Sequence, residues 1–333
     1  MSGLYQQDFL DSLARGVESL LPVWGLSPAS RLALLCISEN ATFRVDCPKR
    51  RHPVVIRVHR PGYHSLAEIE SELAWITALR AQSSVVTTAE PLVTSNGDLV
   101  TGFEHDGEQR FVVAFEFLPG IEPSETGDLR ADFESLGAIT ARLHAQAKNW
   151  PRPSTFVRKT WDFETMLGNK PHWGNWREAL GLDEPGRELL ERCAETLQRQ
   201  LAEFGKGPER FGLIHADLRL ANLLVDGDQL AVIDFDDCGF SWYLYDFAAA
   251  ISFIETSPQI PALQSAWVTG YRSVGELSRE DEQALPMFVM LRRLLLTAWI
   301  ASHSETPTAA ELGSDYTLGT LKLARAYLGD RSD

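Results

Sequence analysis

The chain is poor in cysteine: Cys36, Cys47, Cys193 and Cys238 are its only four in 333 residues, and they lie far apart. No C-x-x-C pair and no histidine at zinc-ligand spacing accompanies them, so they read as reduced thiols of a cytoplasmic protein rather than as a metal or disulfide framework. Positive charge is scarce too, with 31 Lys and Arg against 46 Asp and Glu and a net charge of −15. Nucleic-acid phosphates demand Lys and Arg, which argues against such a partner, and the acidic balance mildly favours an amine-bearing ligand. Long apolar runs are missing. Phe247 to Ile254 and Leu294 to Ala301 fall well short of the roughly 18 residues that a membrane span needs, and the opening MSGLYQQDFLDSL carries no basic segment leading into an apolar core. Internal repeats and low-complexity tracts are also absent. With 44% hydrophobic and 23% charged residues the composition is that of an ordinary globular protein, long enough for one large or two medium domains.

What is present is concentrated in Phe211 to Ala249, FGLIHADLRLANLLVDGDQLAVIDFDDCGFSWYLYDFAA. An apolar run, Phe211 to Ile214, ends in His215-Ala216-Asp217, and Asn222 follows five residues after the aspartate. Two further apolar runs, Leu223 to Val225 and Leu230 to Ile233, flank the turn Asp226-Gly227-Asp228, and the second ends in Asp234-Phe235-Asp236. This is a hairpin pattern with acids at its mouth, which converges Asp217, Asn222 and Asp234 on one small volume. Oxygen ligands of that kind suit a hard cation such as Mg²⁺, held by one or two carboxylates and by substrate phosphates, while a spare aspartate can accept a proton.

The order and spacing match the protein-kinase loop H-x-D-x-x-x-x-N followed by a metal-binding aspartate, with Ala216 in place of its Arg and Asp236 in place of the Gly after D-F. With these departures the stretch resembles the aminoglycoside phosphotransferase and choline kinase superfamily. The run IDFDDCGFSWYLYDFAAA is closest to its branch of type II homoserine kinases and bacterial stress-response kinases. The resemblance implies an α+β, bilobal protein-kinase-like fold, with a small antiparallel-sheet N-lobe over residues 1–118 and a larger, mainly helical C-lobe over 119–333. It implies ATP and Mg²⁺ as cofactors and transfer of the γ-phosphate to a hydroxyl of a small molecule: an amino alcohol, a homoserine-like or an aminoglycoside-like acceptor. Asp217 is then the catalytic base that orients the hydroxyl. Asn222 and Asp234 are metal ligands, Asp236 an additional metal or substrate ligand, and Asp246 a brace of the loop. The state is monomer or homodimer, with no nucleic acid and no membrane.

The resemblance extends to the first part of the chain. Val54-Val55-Ile56-Arg57 stands where a kinase has V-A-I-K, so Arg57 replaces the lysine; strand alternation leaves open an outward-facing side chain. Ser65-x-x-Glu68 is a capping box that opens a helix from Leu66 to Arg80. Glu72 on that helix matches the glutamate that pairs with the strand cation, or else lies on a solvated face. Strands are expected at Leu32 to Ile37, Ala41 to Val45 and Val54 to His59, after a helix over residues 4–21. The loop that in kinases covers the phosphates is Ser38-Glu39-Asn40-Ala41 here, without a glycine. Asn96-Gly97 predicts a hairpin between Pro91 to Ser95 and Leu99 to Phe103. The strand Arg110 to Leu118 ends in Pro119-Gly120, and the resemblance makes the backbone of Glu116, Phe117 and Leu118 the hinge that meets adenine.

Further helices are expected at Asp128 to Lys148, Glu184 to Phe204, Trp242 to Ile254, Ser278 to His303 and Thr308 to Leu328. His144 reads as a core or capping histidine. The aromatic-rich WDFETMLGNKPHWGNW, Trp161 to Trp176, is either a core anchor or the lining of an ammonium pocket. Two other functions stand beside the small-molecule kinase. A protein kinase of the stress-response type is disfavoured by only 11 residues between Asp234 and Asp246, which leaves no long activation loop. A catalytically weak, nucleotide-binding pseudokinase draws support from Arg57 and the missing glycines.

Overall fold

Leu13 and Val17, about one helical turn apart, are the buried stripe of Gln7–Leu20 (α1), which runs on into a 3₁₀ turn at Leu21–Trp24. The computed structural model describes residues 7–37, 40–82 and 84–330. Residues 4–6 of the expected first helix and Ser38-Glu39 of the expected phosphate loop lie outside them. The chain divides into one unit formed by Met1–Gly120 with Pro151–Arg158, and a second formed by Ile121–Trp150 with Lys159–Asp333.

In the first unit, Arg31–Ile37 (β1), Ala41–Asp46 (β2) and Val54–Val58 (β3) are antiparallel neighbours. Burial alternates strictly along β2, with Phe43 and Val45 inward, as a strand with one face on a core requires. Leu66–Arg80 (α2) follows, opened by the reciprocal Ser65–Glu68 cap. Val100–His105 (β4) and Glu108–Glu116 (β5) complete a five-stranded sheet of order β1-β2-β3-β5-β4. The core gathers Leu13, Val17 and Leu21 with Phe43, Val45, Val54, Ile56, Val58, Val112 and Ala114. The excursion Pro151–Arg158 is tied to α2. Arg158 donates through Nη1 to the Glu68 carbonyl at 2.9 Å, and the Val157 amide donates to Ser71 Oγ at 2.9 Å.

The hairpin is not where Asn96-Gly97 predicts it. It turns at Asp106-Gly107, both with positive φ (52° and 77°), and joins β4 to β5. Asn96-Gly97 does make a tight turn, with Gly97 N–H bonded to the Thr94 carbonyl and Thr94 N–H to the Asp98 carbonyl, but Pro91 to Ser95 is not a strand and meets β5 through the Pro91–Phe115 bridge and the Leu92 amide on the Ala114 carbonyl.

The second unit is mainly helical. In chain order it holds Arg130–Asn149 (α3), Phe163–Met166 (α4), Glu184–Phe204 (α5), the strands Phe211–Ile214 (β6), Leu223–Asp226 (β7), Gln229–Val232 (β8) and Gly239–Trp242 (β9), and Tyr245–Ala250 (α6). Ile260–Arg272 (α7), Arg279–Ser302 (α8) and Pro307–Leu328 (α9) follow. The expected helix Trp242 to Ile254 is only six residues long. Its first residue closes β9, which pairs antiparallel with β6. The sequence reading passed over α7, which lies against α3 where Gly137 meets the Trp267 carbonyl and Gly270 meets the Glu134 carbonyl. Only residues without a Cβ let the two backbones approach so closely. α8 is long and apolar enough to cross a membrane, yet 78% of that window is buried inside the protein, as befits a core helix.

Candidate active site

Three of the expected residues meet at one hairpin. β7 and β8 pair from Leu223↔Val232 to Asp226↔Gln229, and the Ile233 amide donates to the Asn222 carbonyl at 2.9 Å, so Asp234 leaves the hairpin beside Asn222. Asn222 turns its amide nitrogen on Asp217, donating at 2.8 Å to both the Asp217 carbonyl and Oδ2. Asn222 Oδ1 is thereby kept as an oxygen donor. Asp234 is exposed and adopts φ 60°, a conformation rare outside glycine. Asp236, two residues on, is buried.

The loop that carries Asp217 is held from behind. Ala216 has φ 67°. Its amide donates to Asp246 Oδ1 at 2.7 Å, and the His215 amide donates to Asp246 Oδ2 at 3.3 Å. Asp246 Oδ2 also meets His144 Nε2 at 3.0 Å, and His144 Nδ1 meets the Tyr271 hydroxyl at 3.0 Å. Burial lowers the pKa of His144 and outweighs the pull of Asp246. The neutral ring therefore donates from Nε2 and accepts from Tyr271 at Nδ1, giving a relay from α7 through α3 and α6 to the loop. His144, which reads from sequence as a core or capping histidine, is a member of that relay. The apolar residues around it carry no sign of this.

Arg292 and Arg219 are the other residues that sequence reasoning missed. Arg292, on α8, donates from Nη2 to Asp217 Oδ1 at 2.6 Å, and Arg219 donates from Nε to Oδ2 at 3.2 Å. Burial alone would raise the Asp217 pKa, but the charges of Arg219 and Arg292 outweigh it and hold the carboxyl below the usual carboxylate range. The Tyr245 hydroxyl, pushed up to about 12 mainly by burial, stays neutral and accepts from Arg292 Nη1 at 3.0 Å. The aromatic-rich stretch is core: Trp161, Trp173 and Trp176 are all buried, and the Trp173 ring lies 5.2 Å from the Arg292 guanidinium carbon.

In the first unit Arg57 does not face water. It is 5% exposed, and its Nη2 donates to Glu72 Oε1 at 2.7 Å and Oε2 at 2.6 Å, with Glu72 fully buried. The Glu116 amide is spent on the Glu90 carbonyl at 2.9 Å and the Phe117 amide on the Pro53 carbonyl at 3.3 Å. Of the three expected hinge residues, Leu118 is the one whose amide these bonds leave over.

A paired strand cation, an oriented and ionised aspartate, and an Asn–Asp pair at a hairpin mouth make the class a phosphotransferase acting on a hydroxyl. The chain belongs to the phosphotransferase enzyme family, whose model matches residues 38–280. It is 46% identical to a microcompartment-associated aminopropanol kinase of solved structure, with a TM-score of 0.87 over 94% of this chain and 97% of that one. An amicoumacin kinase solved in complex with AMP-PNP, Ca²⁺ and Ami has the same kinase-like fold, with a TM-score of 0.74 at 19% identity over 96% of this chain and 94% of that one. Among curated relatives, the amicoumacin kinase of Bacillus subtilis is 24% identical over 84% of this chain and 83% of its own length. The homoserine kinase of Methylobacillus flagellatus is 26% identical over 54% and 53%.

Proposed function

We propose that the chain transfers the γ-phosphate of ATP to the hydroxyl of a small amino alcohol. The observation that carries the reading is the Asp217 carboxylate, kept ionised and held by three donors beside an oxygen-donor pair. Asp217 orients the acceptor hydroxyl. As the acceptor oxygen bonds to the γ-phosphorus, the bond from that phosphorus to the β,γ-bridging oxygen breaks. Its electron pair leaves with ADP, and the hydroxyl proton passes to Asp217. A carboxylate held below its usual range is a weak base, so proton transfer comes late, in keeping with a loose transition state.

Asn222 Oδ1 and the exposed Asp234 carboxylate are hard oxygen donors that fit Mg²⁺, and Asp236 adds a buried carboxylate nearby in sequence. Once bound, Mg²⁺ supplies charge to the phosphates. Arg57, oriented by Glu72, serves the nucleotide phosphates, and the backbone at Glu116 to Leu118, chiefly Leu118, serves the adenine. The likeness to an aminopropanol kinase over 94% of the chain supports an amino alcohol acceptor, as does the net charge of −15.

A coupled assay with ATP and Mg²⁺ across aminopropanol, homoserine, propanediol and aminoglycosides tests the reading. Turnover highest on aminopropanol is the expected result. Turnover confined to a non-amine acceptor would overturn the substrate class. Thermal stabilisation by nucleotide with no turnover at all would make the chain a nucleotide-binding scaffold.

A further inference from the structure

Two adjacent arginines on α8, Arg292 and Arg293, are 2% and 3% exposed, and each is committed to different partners. Taking two charges out of water is costly unless geometry repays it, so neither arginine is a neutral choice for a core helix. Arg293 holds the end of the chain. It donates from Nη1 to Glu255 Oε2 at 2.6 Å, from Nε to Thr320 Oγ1 at 2.8 Å and from Nη2 to the Tyr316 carbonyl at 2.7 Å, fastening α9.

Arg292 faces the loop instead. Its Nη2 donates to Asp217 Oδ1, its Nη1 to the Ala216 carbonyl at 3.3 Å and to the Tyr245 hydroxyl, and its Nε to Ser252 Oγ at 3.1 Å. The Trp173 and Tyr245 rings lie 5.2 and 5.6 Å from the guanidinium carbon. Four of its five N–H groups are thus spent within the protein, which leaves it little capacity to bind a substrate anion.

We propose that Arg292 is a positioning residue for phosphoryl transfer, acting through Asp217. The inference rests on the reading that Asp217 receives the acceptor hydroxyl. Asp217 Oδ2 accepts from both Asn222 and Arg219, whereas Oδ1 accepts from Arg292. A carboxylate oxygen accepts two hydrogen bonds, so the pattern reserves one lone pair of Oδ1 for the acceptor and fixes its direction. The same guanidinium holds the Ala216 carbonyl while Asp246 holds the Ala216 amide, so the left-handed residue before Asp217 is pinned on both sides. Such strain persists only where the surroundings over-determine it.

The test compares the wild-type chain with Arg292→Lys, Arg292→Gln, Tyr245→Phe, Arg293→Lys and Tyr316→Phe in the aminopropanol, ATP and Mg²⁺ assay, with a melting curve for each. Arg292→Lys and Arg292→Gln should lower kcat by about 10²-fold, the scale of a small misplacement of a catalytic group, while KM for ATP stays unmoved. Tyr245→Phe, which removes one acceptor of Arg292 and keeps the ring, should fold and lose kcat severalfold. Arg293→Lys and Tyr316→Phe should lower Tm and leave kcat intact, since they touch α9 and not the loop. Wild-type kcat in a folded Arg292→Lys, or in Tyr245→Phe if the Arg292 variants do not fold, overturns the inference. A wild-type chain without turnover on any acceptor instead overturns the functional reading on which it rests.

Discussion

Asp217 and Asp234 carry the same group in different surroundings, and the proposed function gives them different work. Asp217 is held by Arg292, Arg219 and Asn222, whereas Asp234 stands exposed at the hairpin mouth. Asp217→Asn should therefore cut kcat by about 10² to 10⁴-fold, the range for loss of a positioned base, and leave nucleotide affinity nearly unchanged. Asp234→Asn should abolish the Mg²⁺-dependent part of nucleotide binding along with turnover. Titration calorimetry with a non-hydrolysable nucleotide, with and without Mg²⁺, separates them, and loss of metal dependence at Asp217→Asn alone would reverse the roles. His144 gives a second residue-scale test. Its pKa is lowered in the folded chain from an unfolded value of 6.5, so below pH 6.5 the unfolded chain takes the proton first. Stability that is full above that pH should decline as pH falls. His144→Gln keeps an amide for Asp246, should cost about 1–3 kcal/mol at neutral pH as an imperfectly replaced buried hydrogen bond, and should make the acid decline shallower in urea titrations. That Asp217, Asn222 and Asp234 lie close together was legible because a loop and one hairpin hold them within 18 residues. The roles of Arg292 and His144 were not, since Arg292 reaches Asp217 from 75 residues away in sequence and His144 reaches Asp246 from 102, and no local pattern encodes such contacts.

At the scale of elements, boundaries followed local chemistry wherever that chemistry was strong. The Ser65–Glu68 and Ser278–Asp281 boxes start α2 and α8 where the sequence puts them, and α5 runs over the expected Glu184 to Phe204. The misplaced hairpin shows the opposite case: Asn96-Gly97 and Asp106-Gly107 are both good turn formers, and it is the second that joins two strands of the sheet, β4 and β5. α7 was passed over although its contact with α3 rests on Gly137 and Gly270. A Cβ at Gly270 would overlap the Glu134 carbonyl and sit 3.1 Å from the Ala138 amide nitrogen, both of them helix backbone that cannot swing aside. Gly270→Ala should thus destabilise by about 1–3 kcal/mol or more, as overpacking does. Gly275→Ala, whose Cβ would meet only the Ala141 methyl and Tyr271 at 3.5 Å or more, should stay within about 0.5 kcal/mol. Urea unfolding of the two variants checks the contrast, and equal stabilities would mean that α3 and α7 are free to part.

The whole molecule carries a net charge of −15, and this bears on the acceptor rather than on the fold. An ammonium-bearing acceptor is drawn toward such a surface, and its capture weakens as salt shortens the screening length to about 10 Å at 0.1 M. A neutral diol with the same hydroxyl feels no such pull. KM for aminopropanol should therefore rise severalfold between low salt and 0.3 M, while KM for propanediol stays flat and kcat for both is unchanged, because the proposed function sets the chemistry beside Asp217 and the buried Arg292, where mobile ions scarcely screen. ATP must be saturating in both series, since its own charge would otherwise enter. A parallel rise in the two KM values would trace the salt effect to the nucleotide or the metal. A flat KM for aminopropanol would mean that the amine is selected by contacts close to the loop and not by the field of the chain.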